Sequence, residues 1–174
     1  MKKNLKKLTE TALMLALLIT LQWLTKPAGQ LVTGSCVNAV LGVTVLVSGL
    51  TGGITVAVLS PILAYLVGIA PQILTVPAIM VGNVVFVALL YVLKTKPVVA
   101  WLVAATAKFA ALYAIVVWLI CGVFSQGLLA SGALKPPMLT ALPATFSYPQ
   151  LITALIGGGI ALLIVPTIRK ALKR

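Results

Sequence analysis

Acidic residues are almost missing from this chain. It has no histidine, no aspartate and one glutamate, Glu10. General acid–base catalysis needs a positioned proton donor and acceptor, and nucleophilic triads set a histidine or carboxylate beside Ser or Cys. The chain cannot assemble either. Metal sites draw on imidazole, thiolate or carboxylate groups in threes and fours, so neither a metal nor a cofactor is expected here. No glycine-rich loop ends in Lys-Ser or Lys-Thr, and the chain has no nucleotide-binding P-loop of its own. It reads as a binder or conduit, not an enzyme. Cysteine is scarce too. Cys36 and Cys121 are each solitary and read as small buried hydrophobes; the topology below sets both near the outer face, which leaves a disulfide between them open.

What is abundant is apolar surface. Hydrophobic residues make up 61% of the chain and charged ones 8%, and the mean hydropathy is +1.20. A soluble domain of 174 residues has no core large enough to hide that much, so the composition predicts an integral membrane protein. The net charge of +12 would elsewhere suggest a nucleic-acid partner. Here the basic residues sit in short segments flanking apolar runs, the mark of cytoplasmic loops and termini, and no nucleic acid is expected. The start, MKKNLKKLTETALMLALLITL, has the basic and apolar regions of a signal peptide. No convincing small-x-small cleavage site follows it and further spans do, so it reads as a retained first helix.

Breaker residues divide the chain into six apolar segments, 8–24, 35–49, 53–67, 77–93, 97–124 and 148–168. The expected fold is an all-α integral membrane protein, one domain over residues 1–174, built as a compact bundle of six transmembrane helices. The uncertain cut is SGLTGG (48–53), either a turn between helices or a flexible point within one. Charge arbitrates. With six spans and the N-terminus inside, the inner side holds ten cations: Lys2, Lys3, Lys6, Lys7, Lys94, Lys96, Arg169, Lys170, Lys173 and Arg174; the outer side holds Lys26 and Lys135. Five spans would leave five inside and seven outside. The positive-inside rule selects six spans with both termini cytoplasmic. The long connection SQGLLASGALKPPMLTALPATFS then lies outside. It is partly apolar, and reads either as a lid over a cavity mouth or as an ordinary surface connection. The outer segment TKPAGQLVTG is a candidate to join it.

Lys108 is the only charge between Pro97 and Phe124. An ionisable group at membrane depth is costly, so it normally faces a protein interior or wet cavity and marks a substrate or ion path. Glu10, near the N-terminus, is too far along the chain to be its obvious counter-ion, and an anionic ligand would supply one. Helical rise puts Lys108 ~12 Å below the outer surface, Asn83 and Gln22 ~9 Å below it and Asn38 ~5 Å, with Thr153 close by. This convergence predicts one pocket opening outward, with Lys108 for a carboxylate and Asn38, Asn83 and Gln22 for orientation. The plain alternative is that the amides join helices while Lys108 meets a backbone carbonyl or snorkels. Trp101, seven residues before Lys108 on the same face, is a candidate pocket wall, although core packing also accounts for it.

Ala12 and Ala16 form a small-xxx-small pair that lets another helix approach closely; Gly52-Gly53 and Gly157-Gly158-Gly159 are further close-contact or hinge points. Six short helices, basic termini, a long outer loop before the last helix, Ala12-xxx-Ala16, TGSCVNAVLGV (33–43) and ATAKF (105–109) together resemble the substrate-binding S components of energy-coupling factor (ECF) transporters, over essentially the full length. That resemblance implies a multi-pass protein of the bacterial cytoplasmic membrane. It would capture a vitamin or related micronutrient from outside and associate with a transmembrane coupling protein and two ATPases. Ala12 and Ala16 would be the docking residues, and the protein would topple in the bilayer to carry its ligand inward. The residues themselves narrow the ligand: without an internal acid, a carboxylate-bearing or neutral amphipathic compound suits Lys108 and the amides better than a cation. Biotin, pantothenate, nicotinate and lipoate exemplify the class. Rival readings are a self-sufficient small transporter or channel, a structural membrane subunit without a ligand, and a membrane enzyme. The first lacks the membrane carboxylate that ion coupling often uses; the third lacks acids, bases and metal ligands.

Overall fold

The computed structural model describes residues 2–69 and 72–172, and every regular element among them is helical. In chain order these are α1 (Lys2–Thr25), α2 (Gln30–Ser48), α3 (Leu50–Leu66), α4 (Val76–Val92), α5 (Pro97–Leu112), α6 (Ser125–Ala130), α7 (Met138–Phe146) and α8 (Tyr148–Ala171). A π-helix, Tyr113–Val123, continues α5 directly, and short 3-10 turns occupy Lys26–Ala28 and Ile73–Thr75. Five stretches are long and apolar enough to cross a membrane, namely Leu5–Ala28, Gln30–Ser48, Ile73–Val92, Pro97–Val123 and Met138–Ala171. Leu50–Leu66 is a shorter apolar helix. This is a multi-pass, all-helical membrane protein.

Glycine and proline set the breaks. The SGLTGG segment divides at Gly49, whose φ of 89° lies in the region glycine tolerates, and its N–H closes α2 on the Val45 carbonyl at 3.1 Å. Gly52 and Gly53 are therefore not the turn; they lie buried in the first turns of α3. Proline opens α4, α5 and α8, where an N–H would have no helical partner anyway. Two segments differ from the sequence expectation. Because α1 runs to Thr25 and α2 already begins at Gln30, the connection between them shrinks to residues 26–29. The long connection 125–147 folds into α6 and α7, because Leu142 and Phe146, one turn apart, bury themselves with Leu112, Val116 and Leu134.

Side-chain bonds tie the connections together at each end of the bundle. At one end, Lys26 Nζ donates to the Gly68 carbonyl (2.8 Å) and Gln72 Nε2 to the Ala133 carbonyl (3.2 Å). At the other, Arg169 Nη2 donates to the Leu46 carbonyl (2.6 Å) and Ser48 Oγ to Glu10 Oε2 (3.5 Å). The chain's direction through the helices puts Lys26 and Lys135 at the first, or mouth, end, and Lys6, Lys7, Lys94, Lys96, Arg169 and Lys170 at the second, basic end. Lys173 and Arg174 lie outside the described residues.

The main core joins Leu18, Leu41, Val56, Phe86, Ala104 and Ala154, from six different helices. Packing between α2 and α8 is especially close. A Cβ added at Gly157 would fall 2.6 Å from Asn38 Cβ and also strike the α2 backbone. Small residues allow this approach, which in a bilayer substitutes packing for a hydrophobic drive.

Candidate functional site

The mouth end contains a cavity of about 520 Å³. Its floor is the Lys108 amine, held by two side-chain amides. Lys108 Nζ donates to Asn38 Oδ1 at 2.6 Å and to Asn83 Oδ1 at 2.7 Å. All three residues are buried, with relative exposures of 3%, 1% and 1%. The ring of Phe86 lies 5.5 Å from the nitrogen, within the range where an aromatic face attracts a cation.

Both asparagines are aimed by hydrogen bonds from their nitrogens to the surrounding helices. Asn38 Nδ2 donates to the Gly34 carbonyl one turn back (2.9 Å) and to Thr153 Oγ1 on α8 (3.4 Å). Thr153 Oγ1 in turn donates to the Gln150 carbonyl at 3.2 Å. Asn83 Nδ2 donates to the Ala57 carbonyl of α3 at 3.4 Å. With both N–H₂ groups directed into protein, both carbonyl oxygens are free to accept from Lys108. An ammonium carries three donors, so one N–H remains for a molecule in the cavity. Amide dipoles stabilise a buried charge but do not neutralise it, and Glu10 is engaged at the opposite end of the bundle.

The walls are mainly apolar. Val37, Ile79, Met138, Leu142 and Phe146 face the space, the last three from α7. That helix belongs to the long connection 125–147, and it rests on the π-helix through the Leu142–Phe146 cluster. Polar groups stand between the apolar ones: Gln22, Thr33, Gln72, Gln150 and, at the mouth, Lys26. The buried Oε1 of Gln22 has no hydrogen-bond partner, so the wall offers a polar position as well as the floor.

Of the expected site residues, Lys108, Asn38, Asn83 and Gln22 all line this one cavity. Asn38 and Asn83 line the cavity, and their oxygens accept from Lys108. One expectation needs correction. Trp101 is not a pocket wall. Its Nε1 donates to the Leu155 carbonyl at 2.8 Å and its ring lies on the glycine run of α8, where a Cβ on Gly158 would come within 2.9 Å of Nε1. Thr153 acts one step back, as the support of Asn38. Cys36 and Cys121 are both free thiols.

Gln72 and Gln150 escaped the sequence reading. Gln150 lies one helical turn before Thr153, a signal that was present; Gln72 lies in a connection that only the tertiary fold brings over the cavity. No protein family, curated protein or solved structure matches the chain.

Proposed function

We propose that this protein is the substrate-capture subunit of an energy-coupling factor importer in a bacterial cytoplasmic membrane. Six helices span the bilayer with both termini cytoplasmic, and the cavity opens outward. It takes a small carboxylate-bearing or neutral amphipathic compound of the vitamin class. A transmembrane coupling protein and two ATPases, supplied by other chains, energise its delivery inward. The observation that carries the reading is Lys108: a buried amine with a spare donor, ringed by amide oxygens and without a carboxylate, at the floor of a mainly apolar cavity. The distribution of cations between the two ends supports the orientation. Ala12 and Ala16 are exposed, as a docking face for the coupling protein requires.

Native mass spectrometry of the detergent-purified chain, with identification of the released small molecules, tests this. A stoichiometric organic acid is expected, and Lys108→Met should weaken its binding about ten- to a hundredfold, the loss of a charge-assisted hydrogen bond. A protein that stays empty after exposure to biotin, pantothenate, nicotinate, lipoate and a bacterial metabolite extract would refute capture. Docking is tested separately, by co-purification of ATPase subunits with the native chain and its loss in Ala12→Trp.

A further inference from the structure

A second hollow runs down the outside of the bundle, between α1 and α8 with α2 as its floor. Its volume is about 610 Å³, and apart from Ser35 and Cys36 its lining is hydrocarbon or thioether. One wall is a ridge of isoleucines at every fourth position of α8, Ile156, Ile160, Ile164 and Ile168, which form one stripe of a helix. The first three are 47%, 38% and 43% exposed. Met14, Leu17 and Leu21 of α1 form the facing wall.

Positive charge lies beside one end of this trough. Ile168 is followed by Arg169, whose Nη2 donates to the Leu46 carbonyl at 2.6 Å. Leu46 lies in the last turn of α2, where carbonyls lack partners within the helix, and it packs with Met14 and Ile168 around Val43 at the trough's end. The guanidinium is thus pinned there by one N–H and keeps four others. On the α1 side, Lys7 precedes Met14 by seven residues and Leu21 by fourteen, which puts it on the same stripe. Lys6, Lys7 and Lys170 are exposed. Glu10 shares this end and accepts from Ser48 at 3.5 Å, so one acid stands among four cations.

An apolar furrow with a guanidinium bonded beside one end and exposed amines at that same end of the bundle matches a hydrocarbon chain carrying a phosphate. Basic pockets between membrane helices hold anionic head groups in this way. A zwitterionic lipid would bring its own ammonium against the same cations. A protein helix would need acids at one end to meet them. We infer that the trough seats one acyl chain of an anionic phospholipid, with its phosphate held by Arg169 and Lys7 beside it. This inference is independent of what the cavity binds.

The test uses the full chain in nanodiscs of equal parts phosphatidylglycerol and phosphatidylcholine, released into native mass spectrometry. One phosphatidylglycerol should be retained in preference to phosphatidylcholine. Arg169→Gln should lower that retention about fivefold, the attraction expected of one cation near the surface. Ile160→Trp, which fills the trough and leaves Arg169 intact, should lower it by at least as much. Leu163→Trp, at a position 79% exposed and outside the trough, should leave it unchanged. Each variant's melting temperature reports its folding. Equal retention of the two lipids, or phosphatidylglycerol retention unchanged by either Arg169→Gln or Ile160→Trp, overturns the proposal. So does a co-purifying polypeptide in the lipid's place that Ile160→Trp displaces.

Discussion

The cavity at the mouth end and the trough along α8 enclose similar space, about 520 and 610 Å³, yet they are built from opposite materials. In the cavity, α2, α4 and α5 each send a buried polar side chain to a single point, and a second set of hydrogen bonds from α3 and α8 fixes those side chains. The trough has no such meeting point; apart from Ser35 and Cys36 its lining is apolar, and its charge lies beside one end. Volume alone therefore does not distinguish a solute site from a lipid seat. What does is whether desolvated polar groups converge, because they are costly in hydrocarbon unless they have partners.

Substitutions can break or sharpen this contrast. The largest effect is expected at the wall shared by both regions. Gly157→Val would drive a side chain into Asn38 and the α2 backbone and should destabilise the protein by about 3 kcal/mol, read as a steep fall of the melting temperature in detergent. Next comes Asn83→Leu, which leaves the Lys108 amine with one of its two oxygen partners and should cost about 2 kcal/mol. A melting temperature unchanged in this variant would mean that the amides do not support the amine. Trp101→Phe removes the bond to the Leu155 carbonyl and should cost about 1 kcal/mol, while leaving small-acid binding intact, since the indole stands outside the cavity. The smallest effect belongs to the trough. Ile160→Ala should change stability by less than about 0.5 kcal/mol, because lipid can occupy the vacated space and apolar burial gains little within a bilayer. A large loss there would turn the trough into core.

Much of the site was legible in the chain before its fold was known. Lys108 stands out as the one charge of its apolar run, and helical rise alone set Asn38, Asn83 and Gln22 at comparable depth. Depth was readable because a membrane helix runs nearly straight between two surfaces. Rotation was not. A helix that is apolar on every side carries no contrast between a buried and an exposed face, so nothing in the run from Pro97 to Phe124 tells which neighbours meet the face that Trp101 and Lys108 share: α8 at the level of Trp101, α2 and α4 at the level of Lys108. Nor could the sequence reveal that each asparagine offers its oxygen and not its nitrogen to the cavity floor. That choice follows from the Gly34 carbonyl one turn back on α2 and from the Ala57 and Thr153 acceptors, which adjacent helices supply.

By itself, then, the amino-acid sequence determined the solvent, the all-helical class, the main break points and the isolation of Lys108 from any acid, since these follow from composition, from proline and glycine chemistry, and from charge along one dimension. Only the tertiary structure decided which polar side chains meet, that the long connection 125–147 folds into helices of which α7 faces the cavity, and that an isoleucine ridge remains uncovered beside Arg169. Those features depend on how each helix is rotated about its axis, and that rotation is set by close packing between helices, as where Gly157 lies against Asn38.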